Sequence, residues 1–233
     1  MNDDYHFIQR KILHDLLFGN ELKYSELKPE NMEGSQFTFH LNKLVDAGVV
    51  IKTDEHYTLT ANGKNIANSF DSDSINPRKQ AKHSVVFCAF RKSIDKNETL
   101  LYTRMKNPFY KHQGYPTGKV MYGESILETA RREFYEETGL LGNAKLIGIR
   151  HFRVYHPTPN DLVEDKVMYV CRIDEPTGNL SSNEEGEFFW VDLDKIDNKI
   201  SNPLPEFKEI FEALSNFKGE ITFAEIKQYP KKF

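Results

Sequence analysis

The sequence predicts an α+β chain of two domains. The first is small and helical with a β-hairpin, and the second is a larger α/β sandwich on a mixed sheet. Three observations predict this. Helix-period apolar patterns dominate the first 68 residues, and β-prone apolar runs dominate after residue 83. Between them NSFDSDSINPRKQAKH lacks apolar periodicity and has the composition of a linker. A chain of 233 residues suits two modest domains, placed at 1–72 and 83–217, with a linker at 73–82 and a tail at 218–233.

In the first domain, YHFIQRKILHDLLFG (5–19) carries apolar residues at helical spacing and stops at Gly19. A short helix follows around YSELKP. GSQFTFHLNKLVDAG (34–48) places Phe37, Leu41, Leu44 and Val45 on one face and again stops at glycine. VVIKT and HYTLT then read as a hairpin, and TANGKNIANSF as a closing helix. The order is helix, helix, helix, hairpin, helix. The whole formal charge of −4 falls in residues 1–72, where acidic residues outnumber basic ones by four, and the remainder is neutral.

In the second domain, HSVVFCAF (83–90), ETLLYTRM (98–105), KLIGIRHFRVYH (145–156), DKVMYVCRI (165–173) and FFWVDL (188–193) have strand character. PLPEFKEIFEALSNF (203–217) is an amphipathic helix. Cys88 and Cys171 sit inside apolar runs without metal-ligand spacing and read as reduced core residues, with a disulfide between them left open. The acidic start MNDDYHF does not read as a secretory signal, and no apolar run approaches the length of a membrane span. These features predict a cytoplasmic protein.

The chemistry concentrates in GKVMYGESILETARREFYEETGL (118–140). Ser125 and Glu128 form a capping box that starts a helix near 126, and Gly139 stops it. Leu127, Ala130 and Phe134 are expected on its buried side. On a helical wheel Glu133, Glu136 and Glu137 share an arc of about 100°, so their carboxylates are expected to converge. Alone, REFYEE also reads as a solvated helix face. A convergent patch would be destabilised by like-charge pairs one turn apart unless a counter-charge is bound. A hard divalent cation such as Mg²⁺ fits, taking oxygen ligands and keeping water or substrate phosphate in its other positions. Gly114, Gly118 and Gly123 in the preceding loop let the backbone approach a ligand closely.

These residues also resemble a family. Gly118, Glu124 after five intervening residues, and Arg132-Glu133-Phe134-Tyr135-Glu136-Glu137-Thr138-Gly139-Leu140 after seven more match the Nudix box at every specified position. The resemblance implies a mixed sheet sandwiched between helices and Mg²⁺-dependent hydrolysis of a nucleoside diphosphate linked to another moiety, with Mn²⁺ as a substitute metal. It implies that Glu133, Glu136 and Glu137 are metal ligands with the Gly118 carbonyl. Arg132 would lock the carboxylates and Glu124 would support the loop. The general base would be a box glutamate or a later one, and Glu184 and Glu185 are favoured over a purely polar loop. Arg104 and Lys119 are candidate phosphate contacts. Tyr155 and Pro157 resemble residues used to suggest dinucleoside polyphosphate or ADP-ribose specificity. Where the family often has Pro-Gly-Gly, this chain has Pro116-Thr117-Gly118.

The run FHLNKLVDAGVVIKTDEHYTLTANGKNIA resembles winged helix-turn-helix domains, whose third helix enters the DNA major groove. Here that helix would expose Ser35, Gln36, Thr38, His40, Asn42 and Lys43. The acidic balance opposes DNA binding, so dimerisation or docking of a protein partner is the competing role. Two functions follow. One is a Nudix hydrolase, expected as a homodimer, and the other is a nucleotide-sensing regulator that binds DNA. Nudix-related regulators typically carry the domains in the opposite order and often a damaged box, and the intact box here favours catalysis.

Overall fold

A computed structural model describes residues 5–70, 75, 79–156 and 161–229. It divides into two compact units, Met1–Lys79 and Gln80–Phe233.

The first unit runs α1 (Phe7–Gly19), β1 (Glu21–Lys23), α2 (Tyr24–Leu27), α3 (Gly34–Asp46), β2 (Val50–Thr53), β3 (His56–Leu59) and α4 (Ala61–Asn68). The helices and hairpin follow the order read from the sequence, and β1 is an addition. It is three residues long, too short to show alternation, and exists because it pairs antiparallel with β3 to make the sheet order β1-β3-β2. Ile12, Leu13 and Leu16 of α1, Leu27 of α2, and Leu41 and Leu44 of α3 are fully buried in one core. Thr60 caps α4, its Oγ1 accepting from the Gly63 N–H at 2.9 Å.

The second unit begins with β4 (Lys82–Ser93), β5 (Lys96–Arg104), β6 (Gln113–Gly114) and β7 (Thr117–Lys119), then α5 (Ile126–Thr138). β8 (Leu140–Leu141), β9 (Ala144–Tyr155), β10 (Leu162–Asp174), β11 (Thr177–Gly178) and β12 (Gly186–Asp192) follow. A 3₁₀ turn, α6 (Ile196–Lys199), α7 (Phe207–Ser215) and β13 (Thr222–Gln228) complete it. The main sheet has the order β12-β5-β4-β10-β9-β13, with β6 on β5 and β7 on β4. β4/β10 and β9/β13 are parallel and the other pairs antiparallel, so the sheet is mixed. One core holds Ala130 and Phe134 of α5 and the other holds Ile210 and Leu214 of α7. The residues expected as a C-terminal tail therefore include a strand, β13, in the main sheet.

The sheet splits at β4, and this positions the site. β4 pairs with β5 only through Phe90–Ser93, and over Ser84–Val86 the same strand pairs with β7 instead. The freed half of β5 pairs with β6. Tyr115, between β6 and β7, is 2% exposed and stacks on Phe207 with centroids 5.7 Å apart. The Phe87 N–H donates to the Pro116 carbonyl at 3.1 Å. A buried aromatic and a backbone bond thus pin the loop that carries Gly118 into the gap between β4 and β5.

The capping box of α5 forms as expected: Ser125 N donates to Glu128 Oε2 at 2.9 Å, and Gly139 takes the left-handed C-cap conformation at φ 71°. Its inner face differs in one residue. Ala130 and Phe134 are fully buried, but Leu127 stays 38% exposed. It shares their side of the helix, yet in the first turn the neighbouring Ile126 is the residue that packs against that core. Thr129 and Thr138 are buried instead. Cys88 and Cys171 are both free and fully buried. Burial pushes the Cys171 thiol up to about 12 and holds Cys88 well above its usual value. Phe134→Ala is expected to destabilise the second unit by about 3–5 kcal/mol, read as a lower urea midpoint for its transition.

Candidate functional site

The gap in the sheet opens into a cavity of ≈ 740 Å³ lined by Gly118, Lys119, Glu133, Glu137, Arg104 and Glu185. That volume is within the range of small-molecule sites, roughly 300–1,000 Å³. Gly118 lies in β7 opposite Val85. A Cβ there would fall 2.1 Å from Glu133 Cγ, so only glycine lets the loop and helix approach this closely.

Arg132 organises the helix side. Its Nε donates to Glu124 Oε1 at 2.6 Å and its Nη2 to Glu124 Oε2 at 2.8 Å, a bidentate pair. Nη1 donates to Glu133 Oε1 at 3.0 Å and to Glu136 Oε2 at 2.9 Å, and Nη2 also reaches the Lys119 carbonyl at 3.3 Å. One guanidinium therefore ties together the loop, the residue before the helix cap and two box carboxylates. Thr129 Oγ1 adds a bond to Glu124 Oε2 at 2.9 Å.

This pairing divides the carboxylates. Glu133 and Glu137 line the cavity, whereas Glu136 turns to Arg132 with its side chain 57% exposed. Glu137 Oε2 accepts from Asn183 Nδ2 at 2.7 Å. The three acids therefore share a helix face, as the wheel requires, but their carboxylates do not gather at one point: Glu133 and Glu136 share Arg132 Nη1, and Glu137 is held by Asn183. Among the described residues no group of three or more His, Cys, Asp or Glu side chains is gathered to hold a metal ion.

The electrostatics still suit a hard cation. Burial holds the Glu133 carboxyl above its usual value despite the Arg132 bonds, and Glu137 and Glu136 push the same way. Glu124 is the opposite case. The Arg132 hydrogen bonds hold it at about 2, helped by Thr129 and the Met121 N–H. Arg132 itself is raised, first by Glu124 and then by Glu133 and Glu136. Glu124 is thus a permanent anion devoted to the arginine, and Glu133 is an under-compensated one facing the cavity. An all-oxygen donor set with unrelieved negative charge fits a divalent ion that prefers oxygen ligands.

The other expected residues separate clearly. Arg104 lines the cavity, and its Nε donates to the Pro108 carbonyl at 2.7 Å, bracing the loop that follows β5. Glu185 lines the cavity and Glu184 does not. Tyr155 stacks on Tyr229 with centroids 5.4 Å apart and is not among the residues that line the cavity. Pro157 lies outside the described residues. Sequence reasoning missed Lys106, whose Nζ donates to Glu185 Oε2, and Asn183, which fixes Glu137. No spacing signals either one, because each reaches the site from a separate loop. Burial and the nearby Arg104 lower the Lys106 pKa.

On α3, Ser35, Gln36, Asn42 and Lys43 are exposed. Thr38 and His40 are half-buried, correcting the expectation that they face solvent. Thr38 Oγ1 lies 2.9 Å from Tyr24 Oη, and His40 stacks on His6 with centroids 4.2 Å apart. Lys43 Nζ sits 4.7 Å from the Phe39 ring centroid.

The Glu124 carboxyl is depressed in the folded state, so its contact with Arg132 contributes stability above the ordinary carboxylate range and loses it as pH falls through about 2. Carbon-13 NMR should place the Glu124 midpoint near that value, and in Arg132→Met the midpoint should rise towards the ordinary range.

Comparison with known proteins identifies the family. The NUDIX domain model matches residues 81–213. The uncharacterized Nudix hydrolase YvcI of Bacillus subtilis is 35% identical over 85 residues, covering 36% of this chain and 52% of that protein. Nudix hydrolase 6 of Arabidopsis thaliana is 31% identical over 101 residues, covering 43% of this chain and 34% of that protein. The chain thus spans about half or less of the length of these curated relatives. A MutT protein from Bacillus halodurans superposes with a TM-score of 0.52 at 21% identity, over 65% of this chain and 93% of its own. The NUDIX domain of Shewanella oneidensis NrtR, solved with ADP ribose, gives 0.52 at 15% identity, over 65% and 95%. These two likenesses are of fold. With the family model covering more than half of the 233 residues, and the box residues arranged around Arg132 at a split sheet, this chain belongs to the NUDIX family.

Proposed function

We propose that the second unit is a divalent-metal-dependent pyrophosphohydrolase that cleaves the diphosphate of a nucleoside diphosphate linked to another moiety. The observation that carries this is one cavity holding Gly118, Glu133, Glu137 and Glu185 together with the cations Arg104 and Lys119. Glu133, Glu137 and the Gly118 backbone would hold Mg²⁺, or Mn²⁺ in its place, joined by Glu136 once its carboxylate leaves Arg132. When bound, the ion neutralises the diphosphate and lowers the pKa of a coordinated water.

The chain's own groups do the rest. Arg104 and Lys119 meet the phosphate oxygens, with Lys106 beside them. Arg132 contacts no substrate and holds the loop and helix at a fixed separation. Glu185 accepts the proton of the attacking water, because, of Glu184 and Glu185, it is the one that lines the cavity, beside Lys106. Glu184, outside the cavity, has no part in this.

We also propose that the first unit is a winged helix that dimerises the protein or docks a partner, and that the protein works in the cytoplasm. The described helices include none long and apolar enough to cross a membrane. The second reading, a nucleotide-sensing DNA-binding regulator, draws on the exposed Ser35, Gln36, Asn42 and Lys43 of α3. Its weakness is the acidic excess of this region, since phosphate neutralisation supplies most non-specific affinity.

Incubation with Mg²⁺ and a panel of ADP ribose, dinucleoside polyphosphates and modified nucleoside triphosphates should release a diphosphate-cleavage product from at least one. Glu137→Gln should abolish turnover with the fold intact, and Gly118→Ala should do the same by forcing Glu133 away. Glu185→Gln should lower kcat by about 10²–10⁴-fold, while Glu184→Gln leaves it unchanged. Unaltered turnover in Glu137→Gln refutes the assignment. For the DNA reading, a salt-sensitive mobility shift of upstream DNA that Lys43→Glu removes is the required result.

A further inference from the structure

Glu206 stands at the N-cap of α7, where helix N–H groups are at hand, yet its side chain caps none of them. The residue lines the same cavity as Glu133 and Glu137 and is only 7% exposed. Its Oε1 lies 3.5 Å from Lys166 Nζ. Its Oε2 is buried without a hydrogen-bond partner. A buried carboxylate oxygen in that state is unfavourable, and such groups call for a missing donor.

The surrounding charges do not supply one. Lys166 Nζ is shared with Glu164 Oε2 at 3.3 Å, and Lys82 Nζ reaches Glu164 Oε1 at 3.6 Å. The chain Lys82, Glu164, Lys166, Glu206 is therefore balanced in charge. What Oε2 lacks is a directed N–H or O–H, not another cation.

Its position suits a nucleoside. Lys119 pairs with Ser84 on one side of β4, and Met168 pairs with Ser84 on the other. Lys166, the partner of Glu206, is thus two strand spacings, roughly 10 Å, across the sheet from β7 and two residues further along. A nucleotide with its phosphates at Gly118 and Glu133 would share this cavity with Glu206, within the reach of its nucleoside half.

We propose that Glu206 Oε2 is a specificity contact that accepts a hydrogen bond from the nucleoside half of the substrate. Its source is either an N–H on the base edge or a hydroxyl of the ribose. This rests on the reading of the cavity as a nucleotide site. A site built to bond a donor rejects the analogue that lacks it far more strongly than a change in size would achieve.

The test is calorimetric binding of nucleoside monophosphates, which contain no diphosphate to cleave. AMP against purine riboside monophosphate, and GMP against IMP, differ in a base amine. AMP and GMP against their 2′-deoxy forms differ in a ribose hydroxyl. In the wild type, removing the donor in at least one pair should raise Kd by about tenfold, and Glu206→Ala, which removes the acceptor, should bring that pair to within about twofold by weakening only the donor-bearing member. Glu206→Leu, which also lacks an acceptor, guards against an effect peculiar to one replacement, and thermal melts confirm folding. The inference is overturned if no pair is discriminated, if both variants still discriminate, or if they weaken both members alike. Hydrolysis assayed in parallel separates the claims. Turnover without discrimination sinks this inference alone, and discrimination without turnover sinks the catalytic reading alone.

Discussion

The structure of the site depends on one buried-edge interaction, the Arg132 guanidinium against Glu124, Glu133, Glu136 and the Lys119 carbonyl. The planar group presents its donors in a fixed fork, which a lysine could not reproduce. Bidentate pairing with Glu124 sets the angle between the loop and the first turn of α5. The Nη1 bonds set where Glu133 and Glu136 point. The like-charge repulsion expected among three acids on a short helix is relieved by this arginine only in part: burial, and then Glu137 and Glu136, still push the Glu133 carboxyl up.

That clasp would have nothing to close upon without the split in the sheet. β4 gives one length of its edge to β5 and another to β7, so the loop bearing Gly118 becomes part of the sheet. Sheet hydrogen bonds, Tyr115 packed on Phe207 and the missing Cβ at Gly118 together bring backbone to within contact of the Glu133 side chain. Loops carry function best when a rigid scaffold positions them, and here the loop is almost entirely scaffold. Asn183 and Glu185 both come from the turn before β12: Glu185 lines the cavity, and Asn183 holds Glu137, which also lines it.

Much of this was legible in the sequence because it is local. The capping box, the Gly139 stop and the spacing from Gly118 to Leu140 need only neighbours along the chain. What stayed hidden depends on partners far away. The helical wheel places Glu136 with Glu133 and Glu137 but says nothing of side-chain direction, which Arg132 decides. Leu127 has the right phase for the core and is nevertheless exposed, while Ile126 beside it packs there. Glu206 reads as an ordinary acid beginning a helix until Lys166 and the cavity surround it. β13 lacks a clean alternation and is fixed by its parallel pairing with β9. β1 is fixed by β3 in the same way.

The central claim is that the gap between β7 and α5 is a divalent-cation site for diphosphate chemistry. Anomalous diffraction from crystals soaked in Mn²⁺ with a non-hydrolysable methylene diphosphonate nucleotide tests it most directly. The account predicts an anomalous peak bounded by Gly118, Glu133 and Glu137, with the diphosphonate against it and Arg132 still bound to Glu124. A cavity that takes up the nucleotide with no metal peak between β7 and α5, or a peak only at unrelated surface acids, would contradict it.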